Sequence, residues 1–87
     1  MDEQSPLKFP CRFPIKAVGR AERDFEGQVV AIIRRHAPDL GEGAVRTRPS
    51  RAGSYLSVTV EVRATSRSQL DAIYQELTDC DDVLMAL

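Results

Sequence analysis

The segment Tyr55–Ala64 constrains the fold more than any other part of this chain. Apolar residues occupy every second position, and polar residues or a tyrosine fill the positions between them. Such alternation places the two sets on opposite faces of a β-strand. The segment therefore predicts a long central strand in an antiparallel sheet that is covered on one face and bare on the other.

Two amphipathic helices are predicted on either side of the middle of the chain. Over residues 22–37, an apolar arc at helical spacing ends at Pro38, because the residue before a proline is pushed out of helical geometry. Over residues 67–78, a capping-box pattern of Ser66 and Gln69 precedes a second apolar stripe. The two stripes consist of Phe25, Val29, Ile32, Ile33 and His36 in the first helix, and Leu70, Ile73, Tyr74 and Leu77 in the second.

Three shorter strands complete the predicted order β-α-β-β-α-β. They cover residues 13–19, 44–49 and 83–87. Pro14 must lie near the start of the first of these strands or at an unpaired position, and Pro49 restricts the strand over 44–49 to an edge. This order predicts an α+β fold, the ferredoxin-like βαββαβ sandwich, with a four-stranded antiparallel sheet in the order 4-1-3-2. Two helices would cover one face. Residues 1–8 are expected to be a disordered tail, and residues 9–87 a single domain.

The facing stripes of both helices and the inner row of the long strand give the predicted core. We expect these residues to be nearly inaccessible: Val29, Ile33, Leu56, Val58, Val60, Leu70, Ile73 and Leu77.

Length and charge exclude several classes of function. A chain of 87 residues buries only about 60–65% of the surface of its unfolded state, so a shallow site is expected rather than a deep cavity. The net charge of −1 gives no overall attraction to nucleic acid or to an anionic membrane. The N-terminus is polar, and no apolar run approaches about 18 residues. We therefore expect a cytoplasmic protein with no membrane partner.

Motifs that carry catalytic or metal chemistry are missing from the sequence. Cys11 and Cys80 lie near opposite ends and His36 is the single histidine, so no zinc site, catalytic triad or disulfide is expected. The short acidic run Asp79, Asp81 and Asp82 fits a solvated turn better than a metal site. The glycines form no phosphate-binding loop. We therefore predict no enzyme, no metal and no cofactor.

Several short pieces of the sequence carry a family resemblance that runs from Phe9 to Leu87. They are Phe9-Pro10, Val29-Val30, Arg35-His36-Ala37-Pro38, Ser50 with Gly53, Tyr55, Ser57-Val58, Tyr74-x-Glu76-Leu77 and Val83-x-Met85-x-Leu87. Together they resemble the YbeD-like family of small uncharacterised bacterial proteins. The resemblance implies a ferredoxin-like fold similar to the ACT regulatory domains, which bind small ligands at subunit interfaces. It implies no activity and no catalytic residues.

The bare sheet face is the first candidate for a functional site. It is expected to carry four cations against Glu61, a local charge of +3. The adjoining turn over residues 50–54 is expected to be flexible and to close over a bound group. Arginine and lysine would suit an anionic metabolite or an acidic partner, but solvation, pairing with Glu61 or a dimer seam would also account for them. The candidate residues are Lys16, Arg46, Arg48, Arg51, Tyr55 and Arg63.

Two aromatic side chains each allow a second interpretation. Tyr55 could stack on RNA bases, but the further aromatic residues of an RNA-recognition module are missing, so it is expected to pack across strands. His36 is a secondary candidate for ligand binding. Because no partner for it is visible in the sequence, its ring is expected to rest against the sheet edge and reach a backbone carbonyl near Pro38.

These observations predict a non-enzymatic, ACT-like regulatory or binding module that acts through an anionic small ligand or a protein partner, with a homodimer as a further expectation. The alternatives are an interaction module without a small ligand and an RNA-binding sheet face. Nucleic acid is the least favoured partner.

Overall fold

The computed structural model describes residues 7–87, so most of the tail expected over residues 1–8 lies outside it. The elements in chain order are β1 (Cys11–Arg20), α1 (Phe25–His36), β2 (Val45–Pro49), β3 (Tyr55–Ala64), α2 (Arg67–Asp79) and β4 (Val83–Ala86). The strands form one antiparallel sheet in the order β2-β3-β1-β4, and both helices pack on one face of it. The predicted α+β fold and strand order are confirmed.

The core lies between the two helices and the inner row of the sheet. Seven of the eight residues predicted for it are buried. Leu56 is only half-buried, because it lies opposite Gly19, which has no side chain, and Pro49 on the edge strand. The complete set of buried apolar residues is Ile15, Ala17, Phe25, Val29, Ile32, Ile33, Ala37, Val58, Val60, Val62, Ala64, Leu70, Ile73 and Leu77.

Strand β1 extends beyond the predicted range of 13–19 at both ends. It pairs with β3 along its whole length, from Cys11 opposite Ala64 to Arg20 opposite Tyr55. Pro14 lies on the β4 side of β1, because Lys16, two residues further on, exchanges backbone hydrogen bonds with Leu87 on that side. No described strand residue pairs with Pro14 there, so its missing N–H breaks no ladder hydrogen bond.

Helix α1 begins three residues later than the predicted position 22. Arg23 and Asp24 both adopt the left-handed conformation, with φ of 57° and 53°, so the chain is not helical there. The Asp24 carboxylate then accepts a hydrogen bond from the Gly27 N–H at 3.3 Å and caps the helix. At the other end the helix stops before Pro38, as predicted.

The start of α2 shows how the two helices are tied together. Ser66 caps the helix by accepting from the Gln69 N–H at 3.0 Å, as the sequence pattern predicts. The Gln69 side chain accepts from the Thr65 N–H at 2.7 Å rather than from the cap residue itself. Its amide group also donates to the His36 carbonyl at 2.8 Å. One glutamine therefore satisfies backbone groups at the end of α1 and at the start of α2.

Candidate functional site

The candidate site is the outer face of the sheet, which we define as the side chains of the four strands that point away from the helices. The pairing register arranges them in rows across the sheet. One row holds Arg46, Thr59 and Lys16, and the next holds Arg48, Ser57, Val18 and Met85. Strand alternation therefore brings side chains from distant parts of the sequence into one surface.

A shallow cavity of about 250 Å³ lies at the β2 side of this face. Its lining combines three cations with the outward-facing Ser57 and Thr59, and the Ser57 hydroxyl donates to the Arg48 carbonyl at 3.4 Å. Cationic side chains and hydroxyl donors are the groups that hold carboxylates and phosphates. The lining residues are Lys16, Arg46, Thr47, Arg48, Ser57 and Thr59. Three of the predicted site residues are thus brought together around one depression.

The charge on the outer face exceeds the predicted +3. Arg12 and Arg20, in the extensions of β1, alternate with Lys16 and point to the same side. Within residues 7–87 none of the cations on this face forms an ion pair, so pairing with Glu61, one of the alternative explanations, is not seen there. The formal charge is +5, from Arg12, Lys16, Arg20, Arg46, Arg48 and Arg63 against Glu61.

Two of these cations stand directly opposite each other. Arg12 on β1 is the cross-strand partner of Arg63 on β3. Like charges at directly opposite positions destabilise a sheet. This pair therefore does not contribute to the stability of the fold.

The turn between β2 and β3, which is expected to be flexible, is closed by hydrogen bonds. Ser50 and Tyr55 are joined through the Ser50 N–H to the Tyr55 carbonyl at 2.8 Å and the Tyr55 N–H to the Ser50 hydroxyl at 3.1 Å. Gly53, with φ of 81°, donates to the Ser50 carbonyl at 2.9 Å. Arg51 lies exposed in this turn, outside the rows of the sheet. Tyr55 is 40% exposed on the outer face, with the Arg20 guanidinium 5.8 Å from its ring centre.

The opposite side of the outer face is apolar, which the sequence did not predict. Val18 and Met85 are cross-strand partners, and Leu87 lies beside Lys16. An irregularity in the pairing between Val18 and Gly19 leaves Leu84 exposed as well. Leu84, Met85 and Leu87 are 56%, 51% and 59% exposed. We call Val18, Leu84, Met85 and Leu87 the apolar edge.

His36 lies in the helix layer, away from the outer face, and the expectation that it has no side-chain partner is wrong. Its Nε2 atom is 2.8 Å from the Glu76 carboxylate on α2, and Arg35 pairs with the same carboxylate. The ring does not contact a carbonyl near Pro38 because this carboxylate, forty residues away in sequence, is the partner instead. His36 thus links the two helices.

A second depression, of about 470 Å³, lies between the helices and is lined mainly by apolar surface. Gln28 and Cys80 meet there, with the thiol donating to the Gln28 side-chain oxygen at 3.7 Å. Both cysteines are free, and Asp82 accepts a hydrogen bond from Gln28 at 2.8 Å. Residues 7–87 contain no group of acidic, histidine or cysteine side chains that could hold a metal ion. No helix in this part of the chain has the length and apolar character needed to cross a membrane.

Comparison with solved structures supports the fold independently. The chain is similar to the solution structure of Protein HP0495 from H. pylori, with a TM-score of 0.72 at 16% sequence identity. The match covers 99% of this chain and 91% of the other. At this identity the likeness concerns the fold alone.

Sequence comparison identifies relatives along the whole length of the chain. A UPF0250 protein of Nitrosomonas europaea is 44% identical over 87 residues, which is 100% of both chains. A UPF0250 protein of Chromobacterium violaceum is 44% identical over 86 residues, covering 99% of this chain and 97% of its own. Residues 4–87 match the family described as "Protein of unknown function (DUF493)". The predicted resemblance to YbeD-like proteins is confirmed, and the chain belongs to the DUF493, or UPF0250, family of small bacterial proteins.

Proposed function

We infer that this protein is a cytoplasmic, non-enzymatic regulatory or binding module that binds an anionic group on the outer face of its sheet. The observation that carries the inference is the set of cations on that face, none of which is ion-paired within residues 7–87. A charge of +5 on one face of a chain whose total is −1 must be balanced by the rest of the molecule, so the molecule is strongly polarised.

The cavity beside β2 supports a specific position for the anion. Arg46 and Arg48 flank it, and Lys16 approaches from β1. An arginine presents a planar fork of donors that matches a carboxylate or a phosphate, and a lysine adds a point charge. The Thr59 hydroxyl, which faces the same side, supplies a further hydrogen bond without adding charge. This chemistry fits a carboxylate-bearing group, whether it belongs to a small ligand or to a protein side chain.

RNA binding, the alternative with the same electrostatic signature, is less well supported. Among the described residues, Tyr55 is the one aromatic side chain on the outer face, because Phe9, Phe13, Phe25 and Tyr74 pack with the core. Sequence-tolerant RNA binding relies on several stacking platforms in addition to charge.

The test compares two double variants with the same change in charge. Arg46→Ser with Arg48→Ser removes cations from the cavity, whereas Arg34→Ser with Arg67→Ser removes exposed cations from the helices. We expect citrate, used as a carboxylate probe at constant ionic strength, to raise the thermal midpoint of the parent and of the helix variant. The cavity variant should show no such increase, because a ligand stabilises only the protein that binds it.

The helix variant also controls for the general effect of kosmotropic anions, which are excluded from the surface of any protein. Equal responses of both double variants to citrate would mean that the cavity does not bind the anion, and would contradict the proposed function.

A further inference from the structure

The two halves of the outer face differ in chemistry, and together they indicate which kind of partner would fit the whole face. The β2 half carries Arg46 and Arg48 beside the cavity, and the β4 half carries the apolar edge. Strands lie about 4.8 Å apart, so β2 and β4 are separated by about 14 Å across the sheet. A ligand confined to the cavity would not contact the apolar edge, since none of the residues of the apolar edge lines the cavity.

We propose that the outer face docks an acidic amphipathic helix of a partner protein, with carboxylates over the β2 half and apolar side chains over the apolar edge. The proposal rests on the proposed function, because the carboxylates of the helix are the anionic groups that the cations bind. It goes further by assigning those carboxylates to a protein and by including Met85 and Leu87 in the site.

The dimensions of the sheet fit a helix. An α-helix with its side chains is about 10–12 Å across, so a helix lying along the strands covers most of the width of about 14 Å between β2 and β4. The central strands β1 and β3 are ten residues long, or about 33 Å, so a helix of about 20 residues could lie along them. A small metabolite would fill the cavity but would leave Leu84, Met85 and Leu87 exposed.

Charge complementarity selects an acidic partner over the other occupants. A second copy of this chain docked face to face would bring two surfaces of formal charge +5 together, which costs energy. Nucleic acid would satisfy the cations but would place phosphates near the apolar edge, which offers them no donors among its side chains. An acidic helix with one apolar face satisfies both halves.

A selection from a phage-displayed library of random peptides, about 20 residues long, tests the proposal with the whole chain as the target. We expect the recovered peptides to carry large apolar residues at helical spacing with Asp and Glu beside them. Their affinity should fall about tenfold or more in Met85→Ser with Leu87→Ser, and similarly in Arg46→Ser with Arg48→Ser. Arg34→Ser with Arg67→Ser, the matched control, should change it less than about twofold.

Other results would overturn the proposal in distinguishable ways. If peptide affinity falls in the arginine variant but not in the Met85 and Leu87 variant, the proposed function is supported and the docking of an amphipathic helix is contradicted. Peptides whose affinity is unchanged in both double variants would also contradict helix docking. The same holds if no peptides are recovered while citrate still binds the cavity. Self-association in sedimentation that the Met85 and Leu87 changes abolish would make a second copy the occupant. Tighter binding of a short single-stranded RNA to the same face would make nucleic acid the occupant.

Discussion

The two faces of the β-sheet are built from the same strands, yet they differ in every property that determines stability and binding. On the inner face, the alternate residues of β1 and β3 are buried under the helices and make one apolar core. On the outer face, cations lie on β2, β3 and β1, and the exposed apolar side chains Leu84, Met85 and Leu87 lie on or just after β4. The inner face accounts for folding through the burial of apolar surface. The outer face contributes little to folding and is therefore free to vary with function.

The largest difference between the faces should appear when a large apolar side chain is shortened on each. Leu70 on α2 is 3% exposed, whereas Met85 on β4 is 51% exposed. We expect Leu70→Ala to lower the free energy of unfolding by about 2–5 kcal/mol, because it leaves a cavity in the core. Met85→Ala should change it by less than about 0.5 kcal/mol. Denaturant unfolding measures the free energy of unfolding of both variants. Similar losses would contradict the claim that only the inner face stabilises the fold.

A smaller effect is expected where the inner face is too tight for a side chain. A Cβ atom at Gly19 would lie 2.4 Å from the Asp82 carbonyl oxygen and 2.4 Å from the Phe25 ring. Gly19→Ala should therefore cost about 1–3 kcal/mol, because backbone must move to make room. Gly41→Ala is the control, since an added Cβ atom there would have no neighbour within 4 Å and the φ of Gly41 is −94°. Thermal unfolding should show no loss for the control, and a stable Gly19→Ala variant would contradict this packing.

On the outer face, removing one of two opposed cations should stabilise the fold. Arg63→Thr relieves the repulsion with Arg12 and places a β-branched residue in a strand, for an expected gain of about 0.2–1 kcal/mol. The gain should shrink at high salt, because exposed charges are screened. The control Arg67→Thr on α2 removes the same charge from an ion pair with Asp71 at 3.7 Å, so it should give no gain in stability. A loss of stability in Arg63→Thr at low salt would show that the outer face is arranged for folding.

The smallest effect concerns Tyr74, which packs against the core from α2. Burial raises the pKa of Tyr74 above its usual value of 10.0. The unfolded chain therefore loses this proton first, so the stability contributed by the neutral ring is present below pH 10 and is lost as the pH rises through the folded-state pKa. In Tyr55→Phe, Tyr74 is the one remaining tyrosine, and an absorbance titration of its phenolate should give a midpoint above 10. A midpoint at or below 10 would place the ring in water.

Regular alternation allowed much of the outer face to be predicted from the sequence. Lys16, Arg46, Arg48 and Arg63 lie where the period of two places them. Arg12 and Arg20 are absent from the predicted set because the predicted first strand covers only residues 13–19. Continuing the same alternation by one residue at each end would have included both.

Features that depend on tertiary contacts could not be predicted in this way. The partner of His36 is Glu76 on the other helix, and only the packing of α1 against α2 brings them together. The apolar edge was missed because the final apolar segment does not alternate, and a pairing irregularity decides which of its residues are exposed. The late start of α1 depends on the left-handed Arg23 and Asp24; Asp24 is a typical N-cap residue, but the sequence carries no signal for the left-handed conformation of Arg23.

The most direct test of the central claim is an amide NMR titration of the protein with citrate. If the outer face is the binding surface, saturable shifts should appear at Lys16, Arg46, Arg48, Ser57 and Thr59, and they should disappear in Arg46→Ser with Arg48→Ser. The groove between the helices, marked by Gln28, Ile32 and Cys80, should remain unperturbed. Saturable shifts confined to that groove, or shifts on the outer face that persist in the double variant, would contradict the account.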